Sequence, residues 1–473
     1  MAQPIPIPIL AGTLVDPSTG APRVNYPVNM VPVPGQDNVL DGFLKPAEGI
    51  VSFAAGIGAD RGGIVWNKDG KHYRVSGTKL ITVDVNGVVA SIADIPGTGP
   101  VKMDFSFTLL GILANGVLYF WDGASLTSVT DPNMPANLTD MMWVDGYWMC
   151  TDGTNIVVTD LTAPTVVNPN KYLQINTPDT VESLLKIQNQ PVVVSKNQTD
   201  LLQNIGGQFF PFAPVPTAVI TKGAVGVRAA CIFQDQVAFI GGARNEGYCV
   251  YLARNGQFLP VSTIEIGKTL ASYSDDDLAT AILESITKDN CNYLHVRLPD
   301  RTLVYDATAS AVAQQPVWHV RVSTLTGFAQ NRCSFATFFK GMWVVGDPLS
   351  KSIGILSDEV STHWGADVRW EISTQMMRNE TKGASIDRLE LVATTGYVVP
   401  GLDPMVSTSY TLDGVKYSQD RSVRSGKNGE TEKRIQWLLQ GPWKNWRIQR
   451  IRGDSSSRLT AMRLIAEITP HIY

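Results

Sequence analysis

The stretch from Gly63 to Asp84, GIVWNKDGKHYRVSGTKLITVD, reads as three short strands separated by a turn at Lys68-Asp69-Gly70 and another at Gly77. The same layout recurs at LLGILANGVLYFWDGASLTSV from Leu109, MMWVDGYWMCTDGTNIVVTDL from Met141 and LLKIQNQPVVVSKNQTDLLQN from Leu184. Looser copies follow at AACIFQDQVAFIGGARNEGYCVY from Ala229, LESITKDNCNYLHVRLPDRTLVYD from Leu283 and FATFFKGMWVVGDPLSKSIGIL from Phe335. These seven units have a mean pitch of about 45 residues, the spacing of propeller blades.

A sheet of three or four short strands cannot bury both faces alone, so each unit needs its neighbours. Radial stacking meets that need and leaves few exposed edges. Asn115-Gly116 and Asp145-Gly146 suit the positive φ of two-residue hairpin turns. The pattern predicts a mainly β chain with a β-propeller of six or seven blades over 55–362; a pair of β-sandwiches is the alternative.

On either side the texture changes. Residues 1–54 read as an extended arm, because Pro4, Pro6, Pro8, Pro17, Pro22, Pro27, Pro32, Pro34 and Pro46 remove donors and exclude helix and interior strand. Such an arm is expected to lie on another surface. Residues 363–473 predict a second β-domain, a sandwich or small barrel, with strands at Val368–Met376, Ile386–Thr394, Ser407–Tyr417, Arg434–Leu439, Trp446–Ile451 and Leu459–Ile468. The polar insert Ser418–Glu432 between two of them reads as a loop.

Charged residues make up only 17% of the 473 against 44% hydrophobic, a composition that suits a surface partly covered by neighbouring chains. A formal net charge of −4 gives no overall field for gripping nucleic acid. Cys150, Cys231, Cys249, Cys291 and Cys333 are odd in number and lack CxxC spacing, so buried reduced thiols are expected rather than disulfides or zinc. The first residues lack the pattern of a signal peptide, and no apolar run is long enough to span a bilayer. Assembly in a reducing cytoplasm follows as the expectation.

No constellation for catalysis, metal or cofactor is visible. His72, His295, His319, His363 and His471 fall in no metal-binding spacing, and both GxSxG and GxxxxGK[ST] are missing. Gly56-Ile57-Gly58 with Gly62-Gly63 lacks the βαβ context of a dinucleotide loop. Asp275-Asp276-Asp277 reads as a helix start or exposed turn, since three adjacent acids cannot all face one ion. Arg452-Gly453-Asp454 reads as a turn with Gly at positive φ. Trp318, Trp364, Trp370, Trp437, Trp443 and Trp446 suit core or interface packing.

Charge is informative in one place. From Asp420 to Arg463 eleven Lys and Arg face four Asp and Glu, on a chain that is acidic overall. Arg421, Arg424, Arg434, Arg447, Arg450 and Arg452 are the candidate assembly-interface residues, because arginine forks suit specific contacts with acidic partners.

The whole chain resembles the hub, or nozzle, proteins of short-tailed bacteriophages, also known as packaged-DNA stabilisation proteins or tail accessory factors. The resemblance is carried by the order of Arg23-Val24-Asn25-Tyr26-Pro27-Val28-Asn29-Met30, Leu44-Lys45-Pro46, Glu48-Gly49-Ile50, Tyr73-Arg74-Val75-Ser76-Gly77-Thr78-Lys79-Leu80, Trp443 through Arg452, and Ala466-Glu467-Ile468. It implies a non-enzymatic ring of six subunits in the virion tail, below the portal and its adaptor ring. It also implies a conduit that packaged DNA passes without tight binding, with tailspikes docked on the flank and a needle plugging the channel. A glycan-binding or glycan-cleaving propeller is the rival, and an intracellular interaction scaffold a third reading. A cleaving enzyme would need two carboxylates about 5 to 9.5 Å apart.

Overall fold

The computed structural model describes residues 3–16, 18–35, 42–174, 179–207, 209–379 and 382–471; Pro17 lies outside them. Seven four- or five-stranded antiparallel sheets follow one another around an axis, so the propeller has seven blades. Blade 1 comprises Asp60–Trp66, Lys71–Ser76, Lys79–Val83 and Val89–Asp94. Its innermost strand is Asp60–Trp66. The innermost strands of blades 2 to 7 are Lys102–Phe105, Asp140–Val144, Val181–Ile187, Ala230–Phe233, Ile282–Lys288 and Ser334–Phe339. Each touches the next, and the last returns to Asp60–Trp66.

Every repeat recognised in the sequence falls on its own blade. The copy from Leu109 begins at the second strand of blade 2, because the short KMDF strand inside it carries too little apolar pattern to be read. Asn115-Gly116 and Asp145-Gly146 adopt positive φ at both positions, as two-residue hairpins require. Blades pack through large buried side chains. Trp148 of blade 3 lies against Gly111 of blade 2, where an added Cβ would come within 2.4 Å of the indole.

The arm lies on its own chain over much of its length. Gly49–Ala55, a stretch free of proline, pairs with Ser352–Ser357 as the outer strand of blade 7 and so fastens the two ends of the ring. The sequence reading placed this strand with the arm. Further upstream, Met30–Val33 pairs with Phe43–Pro46, and Gln3–Ile7 pairs with Thr460–Pro470, all within the first sheet of the C-terminal domain.

That domain is a sandwich. Its first sheet continues through Thr460–Pro470 and Ala384–Thr394 to the edge strand Ile435–Trp443. Its second contains Arg369–Ser373, Trp446–Asp454, Met405–Thr411 and Arg421–Arg424. Trp370, Trp437 and Trp443 are buried between the sheets with Leu44 and Leu464, which settles the role of these indoles as core packing. The polar insert is not wholly a loop, since Arg421–Arg424 pairs with Met405–Thr411. Nor is Arg452-Gly453-Asp454 a turn. It ends the strand Trp446–Asp454, and Gly453 is there because a Cβ would meet Ser457 Oγ at 2.3 Å and the Trp370 ring at 2.7 Å.

Propeller and sandwich are joined through the arm. Val28 exchanges backbone hydrogen bonds with Glu371 of the sandwich at 2.9 and 3.0 Å. Beside it, the Asn29 N–H donates to Val320 O of blade 6 at 2.8 Å, and the Val320 N–H donates to Pro27 O at 2.9 Å. The Asp275–Asp277 run forms the first turn of a short helix capped by the Ser274 hydroxyl. All five cysteines are unpaired; Cys150 and Cys333 are buried and the others half-buried.

Candidate assembly surface and the propeller axis

Three of the six candidate arginines converge on one feature of the sandwich. The edge strand Ile435–Trp443 is paired on one side only, with Ala384–Thr394. Its register runs from Leu438 opposite Arg388 to Gly441 opposite Ile386, so Leu439 and Gln440 face the single residue Asp387 in a β-bulge. Leu439 sits at φ +51°, a left-handed conformation that costs a non-glycine residue about 1 kcal/mol or more. Gln440 turns inward and is buried, whereas Leu438 and Leu439 are 58% and 77% exposed.

Arginines brace this bulge from both sides. Inside, the wholly buried Arg447 donates through Nη1 to the carbonyls of Gln440 at 2.8 Å and Gly441 at 3.0 Å, and through Nε to Gln449 Oε1 at 3.0 Å. Its guanidinium lies 3.8 Å from the Tyr410 ring centroid, and burial lowers its pKa to about 10. Outside, Arg421 donates through Nη1 to the Leu439 carbonyl at 2.7 Å. One residue before the strand, Arg434 grips Glu390 with two bonds of 2.8 and 2.7 Å.

The other three lie elsewhere on the domain. Arg424 pairs with Asp403 at 3.2 Å and Arg452 with Asp420, both with exposed guanidinium groups. Arg450 donates to Ser409 Oγ at 3.2 and 3.1 Å and stacks 3.7 Å from the Tyr417 centroid. Arg447 must therefore be taken out of the set that can meet a neighbour directly, because its charge is spent on the interior of its own domain. Sequence reasoning missed the two leucines. The signal was the inward spacing of Ile435, Trp437, Gln440 and Trp443, in which the strand period of two slips to three on either side of the bulge.

A cavity of about 190 Å³ lies against the innermost strands of the propeller, lined by Gly62, Lys102, Arg228, Glu284 and Phe335. Carboxylates of the innermost strands are used to bond adjacent blades. Asp60 accepts two bonds from Arg74 at 2.8 and 2.6 Å, and Arg74 continues to Thr337 Oγ1 and Phe335 O of blade 7. Asp140 of blade 3 accepts from Leu184 N of blade 4 at 2.7 Å and faces Lys102 of blade 2. Asp104 of blade 2 accepts from Trp143 N of blade 3 and from Lys186 Nζ of blade 4. Glu284 of blade 6 accepts from Phe335 N of blade 7 at 2.6 Å, and burial pushes its carboxyl above the usual range. Among the described residues no cluster of three or more His, Cys, Asp or Glu could hold a metal ion.

A seven-bladed propeller with a bonded axis, strapped by its own N-terminal arm to a sandwich with an arginine-braced edge, defines a mainly β protein of two domains. The chain belongs to the bacteriophage P22 Gp10 family: the beta-propeller part of that family matches residues 5–361 and its beta-sandwich part residues 369–469. It is 25% identical over 456 residues to the tail hub protein gp10 of Salmonella phage P22, covering 92% of each chain. Among solved structures, the N-terminal domain of Nup159 superposes with a TM-score of 0.40 at 11% identity, over 65% of this chain and 90% of that one. PorZ of Porphyromonas gingivalis gives 0.38 at 12%, over 80% and 46%.

Proposed function

We propose that this protein is a subunit of the hub ring of a short-tailed phage, made and assembled in the host cytoplasm and resident in the virion tail. The observation that carries the reading is similarity to a tail hub protein from end to end, over 92% of the chain. In this reading six subunits form a ring below the portal and its adaptor ring, continue the DNA exit channel, and help to retain packaged DNA. Tailspikes and a needle or plug dock on the same ring. The domain organisation we adopt is an arm over 1–54, a propeller over 55–362 and a sandwich over 363–473, with the last arm strand lent to blade 7.

The bonded axis bears on where DNA runs. Asp60, Asp104, Asp140 and Glu284 are occupied in holding blades together, which favours a bracing role for the propeller's own centre over a conduit or a pair of catalytic acids. Passage between subunits, around the axis of the ring, fits this better. From residue 363 onward sixteen Lys and Arg stand against twelve Asp and Glu, and the rest of the chain carries twenty-three against thirty-one. A conduit that must let a polyanion pass is served by acidic walls, with the basic sandwich reserved for protein contacts. No cofactor and no enzymatic step enter this role.

The test is genetic. Particles assembled without this protein should package DNA and then lose it. Heads that stay full and only fail to adsorb would refute the retaining role.

A further inference from the structure

Two complementary features stand on different domains of the subunit. One is the edge bulge, which pushes Leu438 and Leu439 into solvent beside Arg421, with Arg434 at the start of the same strand. The other is a groove of about 720 Å³ across blades 2 to 4 of the propeller. Its walls are Phe107, Trp143, Leu161 and Pro164, with Trp148 at the base and Asp145 at the rim. Phe107 is 84% exposed and meets Trp143 edge-on at 5.3 Å, so a whole aromatic face is presented without a partner.

The groove is built before anything enters it. Its lining loops are tied across blades: Lys68 of blade 1 donates to Thr108 O at 3.3 Å and Asp122 O at 2.7 Å of blade 2. Asn189 and Asn204 of blade 4 both donate to the Asp145 carboxylate of blade 3. A preorganised pocket lowers the ordering cost of binding, and aromatic residues such as Phe107 and Trp143 with an arginine partner are the residue types around which strong contacts centre.

Placement decides the occupant. The sandwich is hung on blade 6 through Val28 and Asn29, and its Arg458 reaches Asp358 beyond blade 7. Blades 2 to 4 lie across the seven-membered ring from that joint, so a subunit cannot place its own bulge in its own groove. A chain with an apolar knob and a basic rim on one domain, and an apolar socket and an acid on the other, associates head to tail. The bulge also interrupts the free edge of its strand, which favours side-chain insertion over strand addition.

We propose that Leu438 and Leu439 of one subunit insert between Phe107 and Leu161 of the next, with Arg434 or Arg421 meeting Asp145, and that this contact closes the ring. The proposal rests on the hub-ring reading and names the surfaces that build it.

Full-length F107C and L439C chains, prepared separately and mixed, test it with a short bismaleimide. A crosslinked dimer should form in the mixture, and not in either variant alone or in wild type with its five native cysteines. L439D and D145K should each weaken self-association by about tenfold or more in sedimentation, with unchanged circular dichroism. A ring that forms in wild type without the F107C–L439C crosslink overturns the contact and leaves the hub-ring reading standing. If L439D assembles normally yet loses another tail protein, the knob serves that partner and the proposal is wrong. Absence of any ring, alone or with the other tail components, overturns both.

Discussion

Arg447 reaches the Gln440 carbonyl at 2.8 Å from inside the sandwich, and so a buried cation fixes the shape of an exposed edge. Replacing it leaves two inward carbonyls and Gln449 without a donor. R447M should cost the sandwich about 3 kcal/mol in urea unfolding. R450E with R452E, which changes half-exposed side chains, should cost about 1 kcal/mol and leave the fold intact. Equal losses in the two variants would contradict the assignment of Arg447 to the interior.

Leu439 holds a strained backbone, and its exposed side chain packs little within its own subunit. L439G removes the conformational cost at φ +51° and little buried surface, since the side chain is exposed. The variant should be neutral to about 1 kcal/mol more stable as an isolated subunit while assembling poorly. A subunit that loses stability would show that the leucine serves the monomer.

Much of the fold was legible because a repeat is self-checking. Glycine turns such as Asn115-Gly116 recur in register with apolar runs, and each copy became one blade. The strand Gly49–Ala55 escaped, since a closing strand is distant in sequence from the blade it completes and carries no mark of its partner. The arginine-rich region was visible as a charge excess, but charge does not tell inside from outside. Arg447 and Arg450 are three residues apart in one strand, so alternation sends them to opposite faces, but the charge pattern does not say which face is the inner one.

A second buried cluster makes stability depend on pH. His295, His319 and His363 surround Arg321, whose guanidinium pairs with Glu48 of the arm at 2.6 Å. Burial first, and then Arg321, lower His295 and His363 to about 3 and hold His319 well below its usual range. The Glu48 carboxyl is held low by Arg321 and Lys288 against the opposing effect of burial. The folded histidines are neutral, while those of the unfolded chain take up protons below about 6.5. Stability is therefore full above pH 6.5 and falls as pH drops towards 3, by up to about 2 kcal/mol per histidine at pH 5. Glu48 adds to the loss below about pH 4.5. Urea midpoints measured from pH 7.5 to 5 should decline steadily; a flat profile would mean that the histidines titrate in the folded state.

Asn29 should decide whether propeller and sandwich act as one body. It sits at φ +50°, buried between the two, where its amide nitrogen donates to Val322 O at 3.0 Å and Arg369 O at 2.7 Å. Its amide oxygen accepts from Val322 N at 3.2 Å. N29G keeps the backbone relaxed and loses only these bonds, at about 2 kcal/mol. N29A adds the left-handed penalty of about 1 kcal/mol. N29D is the most severe, because it turns a donor to two carbonyls into an acceptor facing them. The expected order of stability is wild type, N29G, N29A, N29D. Since the change falls on the joint, it should appear in calorimetry as one transition dividing into two, with trypsin cutting the arm early in N29D. A single unshifted transition in N29D would show that the domains are held together by other contacts.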